Sequence, residues 1–157
     1  VLHTDAEGRL VLADALTYAE RYHPRAIVDT ATLTGAALVA LGQHASALLT
    51  RNEQLQNELW QLGEETGDHV WPLPLWEEYE QYLKSDHADI SNIATNFSRF
   101  GGTIEGGTFL AAFAPKGVPW AHIDMASRIE SVASDKLGKG ATGEPVRLLV
   151  RWLATHS

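Results

Sequence analysis

The sequence contains no cysteine. Disulfides and thiolate metal ligands are therefore excluded, and the cytosol is the default compartment. No apolar run approaches the roughly 20 residues needed to span a bilayer, and no secretory signal is visible. Positive charge is scarce. Twelve Lys and Arg stand against 20 Asp and Glu, giving a formal net charge of −8. That balance opposes nonspecific binding to nucleic acid or to an anionic membrane surface, so neither is expected as a partner. An initiating methionine is also missing: the chain opens on Val1-Leu2. Since a domain rarely begins inside its most informative stretch, we expect the C-terminal part of a longer protein. What is present is ordinary for one globular domain, with 157 residues, 45% hydrophobic and 20% charged, enough for a real core.

The informative stretch is Thr4-Asp5-Ala6-Glu7-Gly8-Arg9-Leu10. Asp5 and Glu7 are carboxylates two residues apart, and on an extended segment both fall on one face. Divalent metals take such oxygens. Gly8 permits a sharp turn or a close backbone approach. Arg9 is a permanent cation, suited to an anionic ligand or a developing oxyanion. On spacing alone, a solvated strand end leading into a helix N-terminus is the commoner outcome, because acids favour that end of the helix dipole.

Val1–Thr4 reads as the end of a buried strand. Apolar residues from Leu10 to Tyr22 recur at helical spacing until His23-Pro24 stops them. Ala26–Asp29 is a short buried strand, so the opening reads as strand, helix, parallel strand. Thr30–Gly35 is a loop of small polar residues at the carboxyl end of that strand, where α/β sheets gather ligands. A helix over Gly35–Leu41 is followed by a strand over Ser46–Thr50. Asn52 caps a helix from Glu53. Trp71–Leu75 reads as an extended connector, Trp76–Leu83 as helix and Ala88–Ile90 as a short strand. Asn92–Gly107 has the composition of a loop, with an apolar helix at Thr108–Phe113. Pro119–Met125 is a strand, Ser127–Lys139 a polar loop, and Pro145 opens a last helix over Val146–Ala154. The architecture expected is a single layered α/β domain over residues 1–157, with a mostly parallel central sheet flanked by helices and incomplete at its N-terminus. His122 and Asp124 share one face of their strand, where hydrogen bonding within the core is the favoured role. Asp14 reads as helix surface or structural.

Thr4–Leu10, Asp29-Thr30-Ala31-Thr32-Leu33-Thr34-Gly35-Ala36, Trp120-Ala121-His122-Ile123-Asp124 and Gly140-Ala141-Thr142-Gly143 together resemble, in the same order, the leucine aminopeptidase family of cytosol aminopeptidases. The resemblance implies a cytoplasmic metallopeptidase that releases N-terminal, preferably leucine-like residues from peptides. It implies two divalent metal ions, zinc or manganese, with Asp5 and Glu7 among their ligands and Glu7 bridging. Arg9 would hold a bicarbonate ion as proton shuttle, and the backbone of Thr32, Leu33 and Gly35 would contact substrate and bicarbonate. The family also implies a homo-oligomer, a hexamer whose sites face an interior cavity.

Three positions depart from the family pattern. His3 replaces the usual Asn beside the pocket for the first substrate side chain. Glu105 lies in Ile104–Gly107, where the family has Ile-Thr-Ala and small residues. Ser127–Glu130 replaces the usual Gly and aromatic. These leave substrate preference open. The family site also requires upstream lysines and aspartates that these residues lack, and each metal needs about four ligands. The chain alone is therefore expected to hold half a site and to be inactive. The alternatives are a non-catalytic family member or fragment acting as a binding or assembly module, and a different hydrolase on a similar scaffold.

Overall fold

Strand β4 (Trp120–Asp124) lies in the interior of the sheet, and all five of its residues are buried. The computed structural model describes residues 1, 3–94 and 100–156. Within them, β4 pairs in parallel with β1 (Ile27–Ala31) and antiparallel with β2 (Ser46–Thr50), and β2 pairs in parallel with the short edge strand β3 (Val70–Pro72). The strand order is β1-β4-β2-β3, so two of the three ladders are parallel and the sheet is mostly parallel, as expected.

Alternation along the strands divides two apolar layers. Ala47 and Leu49 of β2 and Trp120 of β4 join Ala13 and Leu16 of α1 (Gly8–Ala19), Ala37 of α2 (Gly35–Leu41) and Phe109 and Leu110 of α4 (Gly102–Ala111). Leu48, Ala121 and Ile123 point the other way. They meet Leu55, Leu59 and Leu62 of α3 (Glu53–Thr66) and Leu148 and Trp152 of α5 (Val146–Thr155). His122 and Asp124 alternate with Ala121 and Ile123, which puts them on the α1/α2/α4 side. Asn52 caps α3 as its residue type predicts, accepting the Leu55 N–H at 2.8 Å.

Five expectations are corrected. Val1–Thr4 does not end a strand: Thr4–Ala6 is a 3-10 turn, so the opening strand-helix-strand unit is absent among the described residues (Leu2 lies outside them). The reason is tertiary. The Asn92 side-chain amide donates to the carbonyls of His3, at 2.9 Å, and Ala6, at 3.3 Å, occupying acceptors that a ladder would need. Ala88–Ile90 is a series of bends, and the chain there is tied to the 3-10 helix Glu77–Leu83 through Ser91 N–H to Leu83 O at 2.8 Å. That 3-10 helix replaces the α-helix expected over Trp76–Leu83. Finally, the loop expected over Asn92–Gly107 gives way to α4 from Gly102, its residues 95–99 lying outside those described. Gly102, Gly106 and Gly107 are poor helix formers, but each packs so closely that a Cβ would press on a neighbour. A Cβ at Gly107 would stand 2.8 Å from Leu49 Cδ2, and one at Gly102 would stand 3.1 Å from Ala36 Cβ. Close packing overrides propensity. The connector at Trp71 also differs, since Val70–Pro72 pairs with β2.

Candidate active site

The parallel pairing of β1 and β4 brings their carboxyl ends together, with Ala31 opposite Asp124. The loop 32–34 leaves β1 at this edge and enters α2 at Gly35. Asp124 holds the loop from beneath. Its Oδ1 accepts the Leu33 N–H at 3.0 Å and the Ala126 N–H at 3.2 Å, and its Oδ2 accepts the Thr34 hydroxyl at 2.7 Å. The Thr34 hydroxyl also lies 3.0 Å from that of Thr103 on α4. Thr34, Thr103 and Asp124 are all buried, so the loop is fixed on the sheet and on α4 at once.

Arg9 enters from the other side. It lies in the first turn of α1, with Glu7 at the N-cap, yet only 7% of it is exposed. Its Nη1 donates to Asn92 O at 2.8 Å and lies 3.5 Å from Glu105 Oε1. Glu105 is buried on α4 and its Oε1 also accepts the Ala94 N–H at 2.6 Å. Burial lowers the Arg9 pKa from its ordinary value, while the charges of Glu105 and Asp124 oppose that shift. The guanidinium remains protonated in the ordinary pH range. Gly106 joins the two halves. A Cβ there would stand 3.0 Å from Leu33 Cδ2, 3.1 Å from Thr34 Cγ2 and 3.6 Å from Arg9 Nη2.

The structure thus brings Arg9, Leu33 and Thr34 together around Gly106. Thr32 and Gly35 flank them and are exposed, with Leu33 half-buried. The Leu33 N–H is already engaged by Asp124, so of its backbone only the carbonyl is left for a ligand. Asp5 is placed in the turn Thr4–Ala6 and its side chain lies outside the described set, while Glu7 is exposed. Two carboxylates suit a hard or borderline divalent ion as part of its shell. Among the described residues, no group of three or more His, Asp or Glu side chains is gathered to hold a metal. His3 is exposed.

A free anion beside Arg9 fits less well. Arg9, Glu105 and Asp124 already sum to one negative charge. At an effective dielectric of 20, two like charges about 4 Å apart repel by roughly 4 kcal/mol. Glu105 Oε1 already lies 3.5 Å from Nη1, so an anion held at this guanidinium would face a like charge. In the sequence Glu105 stands out only as a departure from the family pattern, because its pairing with Arg9, 96 positions away, arises through the fold. Asn92, Thr34 and Thr103 give no signal there, because ordinary polar residues acquire these roles only through the fold. Ser127 and Arg128, the other departure, are buried in hydrogen bonds: Ser127 Oγ to Ala45 O at 2.6 Å and Arg128 Nε to Glu144 Oε1 at 2.9 Å.

This α/β scaffold is shared with a known group of peptidases. Residues 1–150 match the model of the cytosol aminopeptidase family, catalytic domain. The chain is 52% identical over 157 residues to a protein of Histophilus somni (strain 129Pt) named "Probable cytosol aminopeptidase", covering all of this chain and 30% of that protein. It is 52% identical over 153 residues to a protein of the same name from Azoarcus sp. (strain BH72), covering 98% of this chain and 29% of that one. Among solved structures, a mutant of tomato leucine aminopeptidase superposes with a TM-score of 0.89 at 41% identity, over 99% of this chain and 29% of the other. The chain belongs to the cytosol aminopeptidase family. It spans about 30% of the length of the curated relatives it matches.

Proposed function

We propose that the protein is a metal-dependent aminopeptidase that removes N-terminal, leucine-like residues from peptides. The observation that carries this reading is the assembly of Arg9 and the Leu33–Thr34 loop around Gly106, in a chain of this family. Asp5 and Glu7 would hold part of a pair of divalent ions, zinc or manganese. Bound metals would supply Lewis-acid polarisation of the scissile carbonyl and an activated water. The chain's own residues do the positioning. The 32–35 loop, locked by Asp124 and Thr103, offers a rigid backbone edge along which a peptide main chain aligns. Arg9 supplies a fixed guanidinium donor in a dry setting, suited to orienting a substrate oxygen.

Two donors do not complete two metal shells. The remaining ligands, and the lysines that the family resemblance implies, would come from the part of the family fold outside these residues, and the chain alone would be inactive. The complete protein would be a cytoplasmic homo-oligomer, a hexamer by that resemblance. Exposed apolar side chains such as Trp71, Trp76, Val146 and Val150 are compatible with subunit contacts. Among the described residues, no helix is long and apolar enough to cross a membrane.

The test is hydrolysis of leucine p-nitroanilide by the full-length protein and by this chain, each with zinc or manganese. Activity of the full-length protein that is removed by a chelator and by Glu7→Gln is expected, with none from the chain alone. Metal binding without hydrolysis by the full-length protein would instead favour a non-catalytic binding module.

A further inference from the structure

We infer that Glu105 is a built-in anion for Arg9, and that this protein works without the exchangeable bicarbonate that its family resemblance implies at that arginine. The inference rests on the aminopeptidase reading of the site and deepens it. Its observations are geometric. Glu105 Oε1 lies 3.5 Å from Arg9 Nη1, and both side chains are almost wholly buried. The carboxylate does not swing freely, because the same oxygen accepts the Ala94 N–H at 2.6 Å. It is carried on α4, which Gly102 and Gly106 hold tightly against Ala36 and the Leu33–Thr34 loop.

Arg9 therefore has its charge balanced from within the chain. Nη1 is further committed to Asn92 O at 2.8 Å. Among the described residues, the buried Arg9 donor without a partner is Nε. With the charge already balanced, Nε calls for an acceptor but not for another negative charge. A neutral oxygen, such as a peptide carbonyl, satisfies it, whereas bicarbonate would add to the negative charge of Glu105 and Asp124. Glu105 is thus a positioning residue: it holds the guanidinium in place and excludes a competing anion.

The experiment compares the metal-loaded full-length protein with its Glu105→Gln and Glu105→Thr variants in buffer freed of carbon dioxide. Gln keeps the shape and an acceptor for Ala94 N–H, which guards against loss of folding; Thr opens space. Binding of 13C-labelled bicarbonate is read by line broadening, and peptide hydrolysis is followed with and without bicarbonate. The unaltered protein should show hydrolysis that bicarbonate does not raise. Both variants should bind the ion about tenfold or more tightly than the unaltered protein, as removal of one like charge implies, and should become bicarbonate-stimulated. Equal bicarbonate binding by all three proteins, or none by the variants, overturns the inference. If the unaltered protein hydrolyses no aminoacyl substrate with any metal, the aminopeptidase reading fails, and the binding comparison still decides the role of Glu105.

Discussion

Asp29 and His122 face each other across the parallel ladder of β1 and β4, with Asp29 Oδ1 2.5 Å from His122 Nδ1. The second carboxylate oxygen of Asp29 accepts the Trp120 Nε1–H at 2.7 Å. One side chain on the edge strand thus ties two residues of the central strand, just below the carboxyl edge where the candidate site lies. Asp29→Ala would orphan both ring donors in a buried setting, and each such loss costs about 1–3 kcal/mol. We expect a loss of roughly 2–4 kcal/mol by urea denaturation. Asp29→Asn, which still offers one acceptor, should lose less than half of that. Equal midpoints for the two variants would show that the bridge contributes nothing.

Gly106 and Gly107 are adjacent on α4 but face different neighbours, so their alanine variants should separate function from stability. Gly107→Ala drives a methyl into Leu49 in the core, with closest approaches of 2.8 and 3.1 Å. It should cost about 1–3 kcal/mol with kcat/KM nearly unchanged in the surviving folded protein. Gly106→Ala presses on Leu33 and Thr34 instead. A loop displaced by a fraction of an ångström should lower kcat/KM about tenfold. Steady-state kinetics of both metal-loaded variants, beside thermal melts, distinguish the two effects.

Much of this fold was legible in the sequence where local chemistry and tertiary packing agree. Asn52 before an apolar helical stripe, Gly42 after a short apolar helix, and Ser46–Thr50 between breakers each formed the element their pattern predicts. The misreadings fall where distant residues decide. Val1–Thr4 carries a strand-like pattern, but Asn92, about 90 positions away, takes the carbonyls. The glycines of α4 read as loop because propensity is local, while their close approach to Ala36, Leu33 and Leu49 is not. The candidate site divides the same way. Arg9 and the 32–35 loop stand out as motifs, and Asp124 makes the core hydrogen bonds its strand position predicts, whereas Thr103 and Glu105 have no distinctive spacing.

Asp135 gives the 128–142 segment a dependence on acid. Its carboxylate accepts the Val132 N–H at 2.8 Å and pairs with Arg128 at 3.3 Å. These contacts, the Val132 bond foremost, hold its pKa below the ordinary value. A depressed carboxylate pKa contributes stability above the unfolded value, about 3.9, and the contribution is lost as pH falls through the folded value. Amide exchange at Val132 should therefore accelerate as pH falls below about 4, after correction for the intrinsic rate. In Asp135→Asn the protection should already be reduced at neutral pH and should show no such acid step. An acid step of full size in the Asn variant would place the titrating group elsewhere.

Arg128 is the centre of that same segment and is almost wholly buried, as is Glu144. Its Nε and Nη2 reach Glu144 Oε1 at 2.9 and 2.7 Å, Nη1 reaches the Gln43 carbonyl, and its own carbonyl accepts the Thr142 hydroxyl at 2.5 Å. Arg128→Met would leave the Glu144 carboxylate buried without a counter-charge, and its Oε2 already lacks a partner among the described residues. Removing one member of such a pair costs about 3–5 kcal/mol, whereas replacing both with neutral groups is far less damaging. The double variant Arg128→Met with Glu144→Gln should therefore recover at least half of the stability lost by Arg128→Met alone. Arg128→Lys should recover little, because an ammonium cannot reproduce the fork that spans Glu144, Asp135 and Gln43. Chemical denaturation of these three variants and of Glu144→Gln alone measures the coupling. Strict additivity of the two single changes would show that the buried charges act independently.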